Sequence, residues 1–175
     1  MKVEIRISGL GGQGVVLAGQ ILGRAAAYDG KHVVQTQSYG AEARGSAAKS
    51  EVIISDDKIG FPMVRKCDVL IALSQEAAEK NIDDLKEEGT LLVDSSNVKN
   101  VKERKTTVCT VQATQIAEAC CGEKLYANIV MLGALTKITQ IVSVSAMEKA
   151  IQDSVARKDI DKNILAYQKG IESTK

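Results

Sequence analysis

Val3-Glu4-Ile5-Arg6-Ile7-Ser8-Gly9-Leu10-Gly11-Gly12-Gln13-Gly14-Val15-Val16-Leu17-Ala18 is the stretch that decides the fold class. Val3, Ile5 and Ile7 alternate with Lys2, Glu4 and Arg6, the period-two pattern of a half-buried strand. Glycines follow at 9, 11, 12 and 14, and from Val15 to Tyr28 the spacing turns helical, with Ala18, Ile21, Leu22 and Ala25 on one face. A G-x-G-x-x-G element between strand and helix has a mechanical sense. Gly9 permits a tight turn, Gly11 lets a phosphate approach the backbone, and Gly14 allows close helix packing. Free N–H groups at the helix start, aided by its dipole, then face an anion. The other reading of the same residues is a tight turn, or a loop that packs on another subunit. A Walker loop is excluded, because no Lys-Ser or Lys-Thr follows the glycines.

Outward from this unit, Asp29-Gly30 stops the helix, and His32 to Gln37 and Ser50 to Ser55 read as strands around a polar loop, Tyr39 to Ala47. Asp68 to Leu73 is a continuous apolar run, as expected of a strand covered on both faces. Ser74 caps the helix after it, with Glu76 in the first turn. Thr90 to Asp94 and Thr106 to Val111 are further strands, and four helices follow near 114–120, 129–139, 146–157 and 162–169. Asn128 is read as the N-cap of the second, and Ser145 with Glu148 as a capping box for the third. Gly133, inside a helix, implies close packing on a neighbouring strand or subunit. Strands alternating with helices predict an α/β fold, Rossmann-like, with a mostly parallel sheet, flanking helices and a helical C-terminal part. No linker or repeat divides residues 1–175, which are expected to form one domain. The first strand is the exception to a sheet covered on both faces. Its charged side, Lys2, Glu4 and Arg6, implies nearby solvent or a covering partner.

Composition narrows the function. The 175 residues carry 23 Lys and Arg against 22 Asp and Glu, and only 3% are aromatic, so neither a basic field nor stacking platforms point to nucleic acid. The uncharged stretch Ile7 to Gly23 is broken by glycines and glutamines, and the N-terminus lacks a signal-type apolar run, so no membrane role is expected and the location is read as cytoplasmic. Cys67, Cys109, Cys120 and Cys121 have neither zinc nor iron–sulfur spacing and are read as buried or idle thiols; no metal site is assigned. No Ser, Cys or His set forms a nucleophile–base–orienter arrangement, so no residue is assigned as catalytic.

The ligand of the loop is constrained by what the second strand lacks. A dinucleotide fold places Asp or Glu about 20 residues past the glycines to hold the ribose. Here the strand reads Val33-Val34-Gln35-Thr36-Gln37-Ser38, so NAD is disfavoured, and only Arg44 keeps an NADP-dependent oxidoreductase open. Ser38-Tyr39-Gly40-Ala41-Glu42-Ala43-Arg44-Gly45-Ser46 should emerge beside the glycine loop. There Arg44 offers a donor fork for phosphate, Tyr39 an amphipathic ring and Gly45 close approach, or the loop is simply solvated with Glu42 neutralising Arg44.

Gly9-Leu-Gly-Gly-Gln-Gly-Val-Val-Leu-Ala18 and Ser38-Tyr-Gly-Ala-Glu-Ala-Arg-Gly45 together resemble the gamma subunit, or gamma domain, of 2-oxoacid:ferredoxin oxidoreductases. Lys49 to Ser55, Asp68 to Glu76 and Asn128 to Leu135 continue the resemblance in order, and the four-subunit 2-oxoglutarate enzymes are the nearest type. The resemblance implies a noncatalytic subunit of a complex that converts a 2-oxoacid and coenzyme A to acyl-CoA and CO2 while reducing ferredoxin. Thiamine diphosphate with its Mg and the iron–sulfur clusters would then lie in the other subunits. Mapped onto this chain, Gly9, Gly11, Gly12, Gln13 and Gly14 would meet the CoA phosphates, and Ser38, Tyr39, Arg44 and Gly45 would flank the nucleotide or pantetheine. Ser46 departs from the family, where a second glycine often follows Arg-Gly. A scaffold whose glycine loop only packs on a partner is the remaining reading.

Overall fold

Strand β1, Lys2–Leu10, runs on past Ile7 because Gly9 and Leu10 pair with the small residues Ala48 and Ala47 of β3, Ala47–Ser55. The structure is a computed structural model and describes residues 1–40 and 46–174. Helix α1, Val15–Tyr28, follows β1, ending at Asp29 with Gly30 in the left-handed region. Strand β2, His32–Tyr39, comes next, ahead of β3. The remaining elements are β4, Cys67–Ala72, α2, Gln75–Asn81, β5, Leu85–Asp94, β6, Thr107–Val111, α3, Ala113–Cys121, α4, Ala127–Thr139, α5, Val144–Ser154, and α6, Ile160–Glu172.

The six strands form one sheet in the order β2-β3-β1-β4-β5-β6. β1, β4, β5 and β6 pair in parallel, as the alternation of strands and helices predicts. β3 is inserted antiparallel between β1 and β2. The carboxyl end of β2 therefore lies two strand spacings, about 10 Å, from β1 rather than beside it. In a dinucleotide fold that end sits next to the glycine loop and supplies the ribose ligand. The insertion gives a physical reason for the missing acid.

One face of the sheet packs Ile5, Ile7, Val52, Ile54, Val69 and Ile71 against α1 and α3 to α6. The other packs Ile53, Leu70, Leu91 and Val93 against α2 and the chain around it. The charged side of β1 faces this second layer: Lys2, at the strand's start, is exposed to solvent as one of the two expectations had it, and the chain itself covers Arg6 and most of Glu4. Arg6 is buried, donating to Asp84 at 2.7 Å, the carbonyl of Val64 at 3.2 Å, Asn81 at 3.3 Å and Glu51 at 3.4 Å. Glu4 pairs with Lys86 at 3.1 Å. Neither solvent nor a partner is needed to account for Glu4 and Arg6.

Three local expectations change. The N-cap of α5 is Ser143, whose hydroxyl accepts from the Ala146 N–H at 3.1 Å, so Ser145 and Glu148 form no capping box there. Asn128 lies inside α4, not at its cap. Gly133 meets helix α6, not a strand: a Cβ there would overlap the Tyr167 carbonyl and lie 3.0 Å from the Gly170 Cα. Ser74 does cap α2, accepting from the Ala77 N–H at 3.1 Å. No helix among the described residues is long and apolar enough to cross a membrane.

Candidate functional site

The glycine loop leaves β1 at the carboxyl edge of the sheet and is braced from inside. Gln13 Oε1 accepts from the Leu10 N–H at 2.6 Å, and Gln13 Nε2 donates to the Leu73 carbonyl at the end of β4 at 3.0 Å. The Gln13 backbone N–H returns to the Leu10 carbonyl at 3.1 Å. Gln13 thus braces the loop from inside while lining one of the clefts described below. Gly9 is buried at the end of β1, where a Cβ would lie 2.6 Å from Gln13 Oε1 and 3.1 Å from the Leu73 Cβ.

Gly12 and Gly14 hold φ of +90° and +71°, a region costly for residues with a side chain. Gly14 is the N-cap of α1, with no side chain capping that helix. The N–H groups of Gly12 and Gly14 have no partner among the described residues. The first turn of α1 adds the partial positive charge of the helix terminus. An oxyanion fits these donors, because among the described residues no carboxylate caps this helix start.

The hairpin loop reaches the glycine loop as expected: the Gly11 N–H donates to the Ser46 carbonyl at 2.8 Å, and the Gly40 N–H to the Ala47 carbonyl at 2.7 Å. Ser38 and Tyr39, at the end of β2, are exposed, Tyr39 at 64%. Their strand neighbours Lys49 and Ala48 lie between them and β1. Arg44 and Gly45 lie outside the described residues.

Gly12 separates two clefts, of about 340 and 390 Å³, both also lined by Leu125. The first adds Gly14, Tyr126, Asn128, Asp159 and Asn163, and the second Asp94, Asn97, Thr114 and Lys124. A larger cavity, of about 820 Å³, sits at the other end of the sheet beside Met1, Val3 and Ile171, away from the loop. We place the site at the smaller clefts, because ligands of open α/β sheets bind at the carboxyl ends of the strands.

Asp94 is buried and fully engaged. It accepts from Thr114 Oγ1 at 2.6 Å, the Thr114 N–H at 3.3 Å, Asn97 at 3.2 Å and the Ser96 N–H at 3.1 Å, so it caps α3 from a distance. Burial, and then the charges of Asp159 and Glu123, raise the Tyr126 hydroxyl above its ordinary pKa, keeping it a proton donor near neutrality. Among the described lining residues, Lys124 is the cation, 3.4 Å from Glu118 and exposed. Such a lining, of backbone donors, amides, hydroxyls and one lysine, suits the orienting of a ligand.

Two contributors escape sequence reasoning. Asn128 Nδ2 donates to the Gly14 carbonyl at 3.0 Å, and Lys124 stands beside the loop. Both arrive because the 3₁₀ turn Lys124–Tyr126 and α4 pass over the glycines, a placement that local patterning does not encode.

Comparison with known proteins agrees with this architecture. The family model described as pyruvate ferredoxin/flavodoxin oxidoreductase matches residues 4–173. The 2-oxoglutarate synthase subunit KorC of Methanocaldococcus jannaschii is 56% identical over 178 aligned positions, covering 100% of this chain and 95% of that one. Among solved structures, the keto/oxoacid ferredoxin oxidoreductase gamma subunit from Geobacter sulfurreducens superposes with a TM-score of 0.88 at 46% identity, over 98% of this chain and 97% of that one. The 2-oxoglutarate:ferredoxin oxidoreductase from Magnetococcus marinus, with 2-oxoglutarate, coenzyme A and succinyl-CoA bound, shares the fold at a TM-score of 0.89 and 24% identity, and there the match covers 98% of this chain but 30% of the other. The chain belongs to the pyruvate ferredoxin/flavodoxin oxidoreductase family, among the gamma subunits of the 2-oxoacid:ferredoxin oxidoreductases.

Proposed function

We propose that this chain, acting over residues 1–175 as one unit, is the noncatalytic gamma subunit of a cytoplasmic 2-oxoglutarate:ferredoxin oxidoreductase and forms part of the coenzyme A site. The observation that carries the reading is the pair of N–H groups at Gly12 and Gly14 that have no partner among the described residues, set at the start of α1 beside two open clefts. Coenzyme A brings a pyrophosphate and a 3′-phosphorylated ribose. Those groups need backbone donors and cations, and they have no use for the ribose-binding carboxylate that this fold lacks. Gly11, Gly12 and Gly14 would approach the phosphates, with Gly9 and Gln13 holding the loop in shape. Ser38, Tyr39, Arg44 and Gly45 would close over the nucleotide or pantetheine from the hairpin.

Among the described residues no group of three or more His, Cys, Asp or Glu could hold a metal ion. Thiamine diphosphate, its Mg and the iron–sulfur clusters would lie in partner subunits, as the family membership implies, and those subunits would meet ferredoxin. This subunit's part is to bind and orient the acyl acceptor.

The test is an anaerobic affinity purification of the tagged chain from its native cells, followed by 2-oxoglutarate-dependent dye reduction with and without coenzyme A. Larger subunits that co-purify with CoA-dependent activity are expected. Pyruvate assayed alongside checks the oxoacid. An eluate holding this chain alone, inactive with every oxoacid under conditions that preserve the complex, would overturn the reading.

A further inference from the structure

Cys120 and Cys121 are consecutive residues in the last turn of α3, and their Sγ atoms lie 3.1 Å apart. Successive helical residues project about 100° apart, so neighbouring side chains ordinarily diverge. Here both thiols turn into the same space, with unequal surroundings. Cys121 is buried and donates to the Lys162 carbonyl of α6 at 3.3 Å, whereas Cys120 is half-buried. The helix stops immediately afterwards: Gly122 has φ of 80°, and a Cβ there would meet nothing within 4 Å. The pair therefore sits at a helix end, beside a glycine with open space around it.

We propose that Cys120 and Cys121 form a vicinal dithiol that a peroxide converts into an intramolecular disulfide, with the end of α3 as the part that gives way. The Cys120 sulfur, on the open side, attacks one peroxide oxygen. The O–O bond breaks, and Cys120 sulfenic acid and one water result. The Cys121 sulfur then attacks the Cys120 sulfur. The S–S bond forms, the S–O bond breaks, and the hydroxyl leaves as a second water with the Cys121 proton. Overall the two thiols lose two hydrogens and one peroxide becomes two waters.

The surroundings favour this order. Burial, with the adjacent Cys120, pushes the Cys121 thiol up to about 12, so it stays protonated near neutrality. The half-buried Cys120 is therefore the group a peroxide meets, and what makes Cys121 the resolving partner is its position, with its sulfur 3.1 Å from that of Cys120. Adjacent Cα atoms are about 3.8 Å apart, below the roughly 4.4–6.8 Å span of ordinary disulfides, so closure opens the last helical turn. A strained bond of this kind is readily reduced, which makes the step reversible. The turn Lys124–Tyr126 follows directly, and Leu125 and Tyr126 line the cleft beside Gly12. Oxidation would thus reshape a wall of the candidate site, while the thiol chemistry itself is independent of what that site binds.

The test uses the reduced full-length chain, treated with hydrogen peroxide, alkylated, and mapped by peptide mass spectrometry. The peptide carrying Cys120 and Cys121 should lose two hydrogens, resist alkylation at both positions and recover after dithiothreitol. Cys121→Ser should instead accumulate oxygen on Cys120. As a second probe needing no variant, phenylarsine oxide should condense with both thiols, releasing one water, and block the peroxide reaction. Alkylation of both cysteines after peroxide would overturn the proposal. So would oxygen addition at Cys120 in the unsubstituted chain, a disulfide involving Cys109, or failure of the arsenical to bind this peptide.

Discussion

Asn128 Nδ2 donates to the carbonyl of Gly14 at 3.0 Å, and the same carbonyl accepts the Ala18 N–H at 3.0 Å inside α1. One oxygen thus joins the glycine loop both to the helix it starts and to α4, so loop shape depends on a residue 114 positions away. A Cβ on Gly14 would overlap Asn128 Nδ2, whereas one on Gly12 would meet nothing within 4 Å.

That contrast separates backbone strain from packing. Gly12→Ala should lose only the left-handed penalty, roughly 1–2 kcal/mol. Gly14→Ala adds the overlap and should lose roughly 2–4 kcal/mol. In an Asn128→Ala background the Gly14→Ala penalty should fall towards that of Gly12→Ala. Urea unfolding of the four variants checks it, and additive losses at Gly14 and Asn128 would contradict the account.

Arg6 supplies the second prediction. Its guanidinium links Asp84, Asn81, Glu51 and the Val64 carbonyl behind β1. Arg6→Ala leaves buried acceptors without a donor and should cost roughly 3–5 kcal/mol. Most of that loss should fall on Glu51, whose side chain is 15% exposed and keeps, among the described residues, only the longer contact to Lys49 at 3.6 Å. Asp84, by contrast, is 44% exposed and can turn to water. Adding Glu51→Gln to Arg6→Ala should therefore restore more stability than adding Asp84→Asn, as read from denaturant midpoints.

Gly133→Ala reverses the sign expected from helix propensity. Alanine is favoured over glycine within a helix by up to about 1 kcal/mol. At this position, however, the methyl would be driven into the Tyr167 carbonyl, a backbone atom of α6 that cannot swing aside. A net loss of roughly 1–3 kcal/mol is expected in thermal or urea unfolding. A stabilised variant would show that α4 and α6 do not cross as closely as Gly133 and Gly170 allow.

Asp56 yields a pH dependence. Hydrogen bonds from Lys31 and then from the N-terminal amine hold its carboxyl at about 2, below the ordinary 3.8. A lowered folded-state pKa means the contribution is fully present above about pH 4 and is lost as pH falls towards 2. The stability difference between the unsubstituted chain and Asp56→Asn should therefore shrink across that window and stay constant above it. A difference unchanged down to pH 2 would contradict the assignment.

How far the sequence could be read depended on whether the signal was local. β1, α1, β4 and the Ser74 cap announced themselves through period, apolar run and residue type, and each lies where expected. The antiparallel insertion of β3 did not, because Val52-Ile53-Ile54 looks the same in either direction. Chain length carried a clue: residues 40–46 alone join β2 to β3, shorter than the dozen or so that a parallel crossover needs. Asn128 reads as a cap in the sequence because a polar residue near a predicted helix start resembles one, whereas it lies inside α4. Its partner, Gly14, is distant in sequence, and the same holds for Arg6 and Asp84.

The most direct test of the coenzyme A reading is the apparent KM for coenzyme A of the assembled complex carrying Arg44→Ala, measured beside the KM for 2-oxoglutarate. One charge-assisted contact to a phosphate is worth roughly 1.5–3 kcal/mol, so the KM for coenzyme A should rise about tenfold to a hundredfold. Subunit assembly and the KM for 2-oxoglutarate should stay unchanged. A KM for coenzyme A equal to that of the unsubstituted complex would remove Arg44 and its loop from the site and contradict the central claim.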